Sequence, residues 1–315
     1  MKILIIGGAG FVGANLVRRC LKEDGVEVTV LDALTPLSNA TLRNLEPVMD
    51  RISFVHGDMG DEAILRARVG EASLIFNCAA QASHPLSLKH PMLDMETNVV
   101  GNLKLLEAIR QVNPEAVVVY PSSSTAVGKA RGVVVDEDHP ERPLELYSAH
   151  KGLVEKYYGI YHHVHGLKTV CIRFANLFGA YGNGHPQFGF MNYFIARAWA
   201  GETLTVFGDG AQKRNVMYID DAVDLMLRAT REPDLFGALY IASGDEHVSV
   251  LEIAETMVEV FERGRVERVD WPEEWERIEV DSVTISSARL REKIGWKPSF
   301  TFRTGLEETR RILEQ

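Results

Sequence analysis

The chain has 315 residues, 46% hydrophobic and 25% charged, enough for one large folded domain or two smaller ones. Its net charge of -10 argues against a nucleic-acid-binding surface, and no run reaches the ~18 apolar residues of a membrane span. Cys20, Cys78 and Cys171 are an odd count without metal-ligand spacing, which points to reduced thiols in a cytoplasmic protein.

Met1-Lys2 opens directly into an apolar run, so no secretory leader is expected. β-rich apolar runs then recur at residues 2–6, 27–31, 52–56, 74–78, 116–120 and 169–174, with helical patterns between most of them. Strands separated by helices predict an α/β fold, a doubly wound parallel sheet of Rossmann type. Beyond residue 180 the pattern loosens: helix 190–200, strand 203–207, the turn Gly208-Asp209-Gly210, strand 216–219 and helix 222–230. Strand 238–242, helix 250–263 and a last helix at 302–313 follow. Residues 1–180 are therefore expected to form a dinucleotide-binding domain, and 181–315 mainly a smaller α/β substrate-binding lobe. Residues 211–245 are candidates to return to the first domain, so the chain crosses more than once.

Between the first strand and the first helix lies Gly7-Gly8-Ala9-Gly10-Phe11-Val12-Gly13. Strand, glycine turn and helix are the context of a dinucleotide fingerprint. Gly7, Gly10 and Gly13 provide the tight turn, the close approach of backbone to a pyrophosphate, and close packing of helix on strand. The phosphates would meet the free N–H groups at Phe11 and Val12. Asp32 closes the second strand about 20 residues after Gly13, the spacing at which a carboxylate accepts from ribose hydroxyls. It repels a 2′-phosphate and no arginine adjoins it, so NAD is expected rather than NADP. Asp58, with Met59 beside it, follows the third strand and is expected to face the adenine edge. Ala79 and Ala80, small residues after the fourth strand, suit backbone lying against a dinucleotide.

Tyr147 and Lys151 stand four apart in Tyr147-Ser148-Ala149-His150-Lys151, on one face of a helix. A free phenol titrates near ~10, and a neighbouring ammonium lowers that value. The pair therefore reads as a general base and its tuner, with Lys151 also placed to bond the nicotinamide ribose. The strand 116–120 runs into Pro121-Ser122-Ser123-Ser124-Thr125, a hydroxyl cluster at a carboxyl strand end, where ligands bind in parallel sheets. Ser124 is chosen to hold the reacting hydroxyl, with Thr125 and Ser123 in reserve. His162, His163 and His165 lack partners at ligand spacing, so no metal is expected.

Together these residues resemble the extended short-chain dehydrogenase/reductase family, specifically its NAD-dependent nucleotide-sugar epimerases and dehydratases. The likeness covers almost the whole chain and includes 98–108, Arg173-Phe174-Ala175-Asn176-Leu177-Phe178-Gly179 and the run from Leu204 to Asn215. It implies Asn98 and Ser122 beside the cofactor. It implies Ser83, Ser124, Asn176, Val206, Arg214 and, by a poorer match, Arg277 around a nucleotide-sugar substrate. It also implies a homodimer through helices at 92–111 and 147–164. Three departures are Asn77 for a common histidine, Gly128-Lys129 for Tyr-Gly, and Asn215 for an aspartate. A fourth decides the reaction. The 4,6-dehydratases carry an Asp-Glu pair where this chain has Thr125 and Ala126, so water loss is disfavoured. The expected activity is epimerisation at C4 of a UDP-hexose or UDP-hexuronate through a 4-keto intermediate. A CDP-sugar 2-epimerase of the tyvelose type, suggested by 81–98, is the closest alternative, then a keto-sugar reductase. A non-catalytic NAD-binding protein is disfavoured by the intact Tyr147 and Lys151.

Overall fold

A computed structural model describes residues 1–36, 38–130, 134–271 and 282–315. Strands β1 (Lys2–Ile6), β2 (Glu27–Asp32), β3 (Ser53–His56), β4 (Leu74–Asn77), β5 (Val117–Ser123) and β7 (Lys168–Phe174) form a parallel sheet with β11 (Leu239–Ala242); β6 (Val134–Val135) lies outside it. The strand order is β11-β7-β5-β4-β1-β2-β3. Alternation decides the faces: Ile3 and Ile5 join one apolar cluster, Leu4 and Ile6 the other. Helices α1 (Phe11–Cys20) and α8 (Ile219–Ala229) pack together on the first face. Helices α2 (Glu62–Glu71), α5 (Gly101–Val112) and α6 (Leu146–His165) pack on the second, where Tyr158 of α6 stacks on Tyr120 at 4.9 Å.

The chain leaves β1 first toward β2 and β3, then returns to place β4 on the other side of β1. That reversal opens a crevice at the carboxyl ends of β1 and β4, where such sheets hold ligands. The sequence pattern ends the fifth strand at Tyr120. The strand instead continues through Pro121 to Ser123, paired with Ile172 to Phe174. Its pairing with β4 ends at Val119, so from there one side is an edge, where proline is tolerated. The extension carries the hydroxyl cluster over the crevice.

Beyond the sheet, β8 (Asn176–Phe178), β10 (Lys213–Tyr218) and β12 (His247–Ser249) form a three-stranded sheet. Strand β9 (Thr203–Phe207) pairs with β13 (Arg265–Val269). Helix α9 (Val250–Phe261) starts with a capping box, Ser249 with Glu252. Asp221 near the start of α8 accepts from the N–H groups of Ser299 (2.8 Å) and Phe300 (3.1 Å), tying down the segment before the helix Phe302–Leu313. Ahead of α5 the helix makes a π turn over Met95–Val100. No described helix is long and apolar enough to cross a membrane.

Candidate active site

The crevice begins at the glycine loop. Gly7 has φ +75°, and a Cβ there would stand 2.5 Å from the Ala79 nitrogen. A Cβ on Gly13 would stand 2.2 Å from the Gly7 carbonyl oxygen. Helix α1 starts at Gly10 with no side-chain cap, which leaves the first-turn N–H groups of Phe11, Val12 and Gly13 for a ligand. Asp32 accepts from the N–H groups of Ala9 and Leu34, both at 2.9 Å. Burial pushes its carboxyl up, while these two donors pull it back. Bare N–H groups on a tight loop, with a carboxylate held against that loop, fit a dinucleotide. Gly7→Ala is expected to cost about 3 kcal/mol or more, from the positive φ and the backbone clash, and to abolish NAD binding. Urea unfolding and titration with NAD check it; a variant that binds NAD normally would contradict the loop's role.

The other cofactor-side residues divide. Asp58 is exposed and takes the Gly60 N–H at 2.6 Å, while Met59 is buried in the core. Ala79 lies against Gly7, with Ala80 next along the chain. Asn98 sits in the π turn with both ends of its amide on Gln81, accepting from its N–H (3.0 Å) and donating to its carbonyl (2.9 Å). It therefore shapes the loop after Ala80. Ser122 donates to Glu155 at 2.5 Å, and Glu155 takes the buried Arg173 fork. Its hydroxyl is thus committed within the protein.

Tyr147 and Lys151 lie on the first turns of α6, 9% and 5% exposed. Of the hydroxyl cluster, Ser123 is the residue near enough to the Tyr147 phenol to favour its ionised form. Ser123 also bonds Thr125 Oγ1 at 2.8 Å. Ser124 opens the short turn after the strand, half-buried. Lys151 Nζ donates to the Pro121 carbonyl at 3.0 Å, 4.4 Å from the Tyr120 ring centre and 5.8 Å from that of Tyr147. Burial bears on both members of the pair. It pushes the Tyr147 phenol up, Glu145 and Asp94 add to this, and Ser123 opposes it. Burial also brings the Lys151 ammonium down to about 8. A dry site penalises the charged forms of both groups.

Glu145 caps α6 through the Ser148 N–H (3.2 Å) and bonds His84 Nδ1 at 2.8 Å. The His84 ring lies 4.9 Å from that of Tyr147. Asp94, fully buried, accepts from Gln81 (2.7 Å) and bonds His150 Nδ1 (2.5 Å). Sequence reasoning missed both histidine–carboxylate pairs. The sole signal was an acid two residues before Tyr147.

Among the substrate-side residues, Asn176 and Arg214 come together on adjacent strands: β8 pairs with β10, and Asn176 donates to the Asn215 carbonyl at 2.9 Å. The Asn215 side chain accepts from the Ile285 N–H at 2.8 Å. Val206 is fully buried in the core. Ser83 is fully buried too, its hydroxyl capping the helix His84–Lys89 through the Leu86 N–H. Arg277 lies outside the described residues.

The seven-stranded parallel sheet with a glycine loop after its first strand defines a dinucleotide-binding α/β fold of Rossmann type. The profile of the NAD dependent epimerase/dehydratase family matches residues 3–240, and the chain belongs to that family; its cofactor is NAD. It is 31% identical to the UDP-glucose 4-epimerase of Mycolicibacterium smegmatis, covering 98% of this chain and 97% of that one. It is 30% identical to a dTDP-glucose 4,6-dehydratase of Xanthomonas campestris, over 97% and 91%. The crystal structure of Thermus thermophilus UDP-glucose 4-epimerase with NAD superposes with a TM-score of 0.85 at 28% identity, covering 100% of this chain and 99% of that one.

Proposed function

We propose that this protein inverts C4 of a UDP-hexose or UDP-hexuronate through a transient 4-keto sugar. The observation that carries the reading is the strand end near Tyr147, where Ser123 and Ser124 stand but 125 and 126 are Thr and a buried Ala. Redox at a hydroxyl is provided for there, but positions 125 and 126 supply no carboxylate to expel water. Both an epimerase and a dehydratase are among the relatives, and this difference favours the first.

Bound NAD supplies the hydride acceptor and a positive charge at the nicotinamide. Tyr147 takes the proton of the 4-hydroxyl as hydride leaves C4, and returns it when hydride comes back to the opposite face. Ser123 stands near the phenol, and Lys151 holds positive charge behind it. Asn176 and Arg214 serve the diphosphate, for which a guanidinium is a fitting partner. The same reading places the enzyme in the cytoplasm as a homodimer, joined through the exposed Met92, Leu103, Ile160 and Val164.

Proton NMR in D₂O with UDP-, CDP-, dTDP- and GDP-sugars and no added cofactor tests it. C4 epimers should interconvert with the C4 hydrogen retained. Inversion at C2 would shift the reading to a CDP-sugar 2-epimerase, a 6-deoxy-4-keto product would mean elimination, and no change with any sugar would sink it.

A further inference from the structure

We propose that His84 is a second acid–base group of this site, and that it exchanges the proton on a sugar carbon next to the C4 ketone. The inference rests on the reading of a 4-keto intermediate.

Three observations meet at His84. Its Nδ1 is bonded to Glu145 Oε1 at 2.8 Å, which orients the ring and leaves Nε2 as the working nitrogen. Glu145 is itself held by Ser87 Oγ at 3.2 Å and by Ser148. A carboxylate fixed on three sides and bonded to one imidazole nitrogen stabilises the imidazolium formed when the other nitrogen takes a proton. The His84 ring touches the Tyr147 ring at 4.9 Å. A sugar whose C4 oxygen sits on the phenol would carry C3 or C5 beside it, toward the neighbouring imidazole. Finally, the His84 side chain is 41% exposed, whereas Glu145 is 13% exposed. The imidazole is open to a ligand; its carboxylate is not.

The step balances without any added oxidant once the ketone exists. Nε2 takes the proton from the carbon beside the carbonyl. The C–H electron pair becomes the carbon–carbon double bond, and the carbonyl π pair moves onto oxygen, giving an enolate. The imidazolium then returns a proton to the same carbon, and the ketone re-forms. In D₂O the returned atom is deuterium. Full elimination would also need an acid at the leaving hydroxyl, which Thr125 and Ala126 do not provide.

The test uses a supplied UDP-4-keto-6-deoxyhexose, so no hydride transfer is needed. The protein is incubated with it in D₂O, and loss of the C3 and C5 proton signals is followed against an enzyme-free control. Wild type should speed exchange above the control, and His84→Ala should lower that enzymatic rate by about 100-fold. Imidazole added to His84→Ala should restore part of it, which a merely structural defect would not allow; a thermal melt establishes that the variant is folded. Exchange no faster than the control in wild type, or an unchanged rate in His84→Ala, overturns the assignment. So does a slowed His84→Ala that imidazole does not rescue. Exchange of the ketone without C4 inversion of any nucleotide sugar would keep His84's role and sink the proposed function. C4 inversion without exchange would do the reverse.

Discussion

Tyr147→Phe is expected to lower C4 inversion by about 10³-fold while leaving the protein folded. The substitution removes one hydroxyl from a buried side chain and keeps the ring against His84. What is lost is the phenol oxygen, the group proposed to carry the proton of the sugar. The structural loss is at most one hydrogen bond, worth about 1 kcal/mol. NMR rates of epimer interconversion, with urea unfolding of the same samples, measure both. A variant within tenfold of wild type would remove Tyr147 from the chemistry.

Lys151→Met should abolish activity and make the protein more stable at neutral pH. Burial has brought this ammonium from its ordinary 10.5 to about 8, so the folded state holds the charge at a cost of about 3 kcal/mol below that pH. Methionine fills similar space without the charge. It forfeits the bond to the Pro121 carbonyl, worth about 1 kcal/mol, for a net gain of about 2 kcal/mol. The sign follows from proton counting. Between about 8 and 10.5 the unfolded lysine is protonated and the folded one is not, so this group's contribution improves as pH rises through that window. The advantage of Lys151→Met should therefore be full at pH 7 and shrink toward pH 10. Denaturant midpoints at the two values measure it. A less stable Lys151→Met at pH 7 would mean the ammonium is better solvated than its burial implies.

How much was readable depended on distance along the chain. The glycine loop, Asp32 and the Tyr147–Lys151 pair each lie within one strand, turn or helix, where spacing fixes geometry. All were legible. Where the hydroxyl cluster sits depended on how far β5 ran, and so on where β4 stopped pairing, which a single segment cannot reveal. The His84–Glu145 pair joins residues 61 apart, and Asp94–His150 joins residues 56 apart. Neither has a local signature. The burial that raises the Tyr147 phenol is likewise a product of tertiary packing, which sequence spacing does not display.

The π turn over Met95–Val100 can also be seen as one surplus residue stored inside a continuous helix. Removing a single residue there would leave the helix unbroken and shift its two ends by one position. Each residue turns an α-helix by about 100°, so Asn98 and Gln81 would no longer meet while everything after Gly101 kept its seat. The loop that follows Ala80 is thus set by the length of a distant helix, and one codon separates a clasped loop from a loose one.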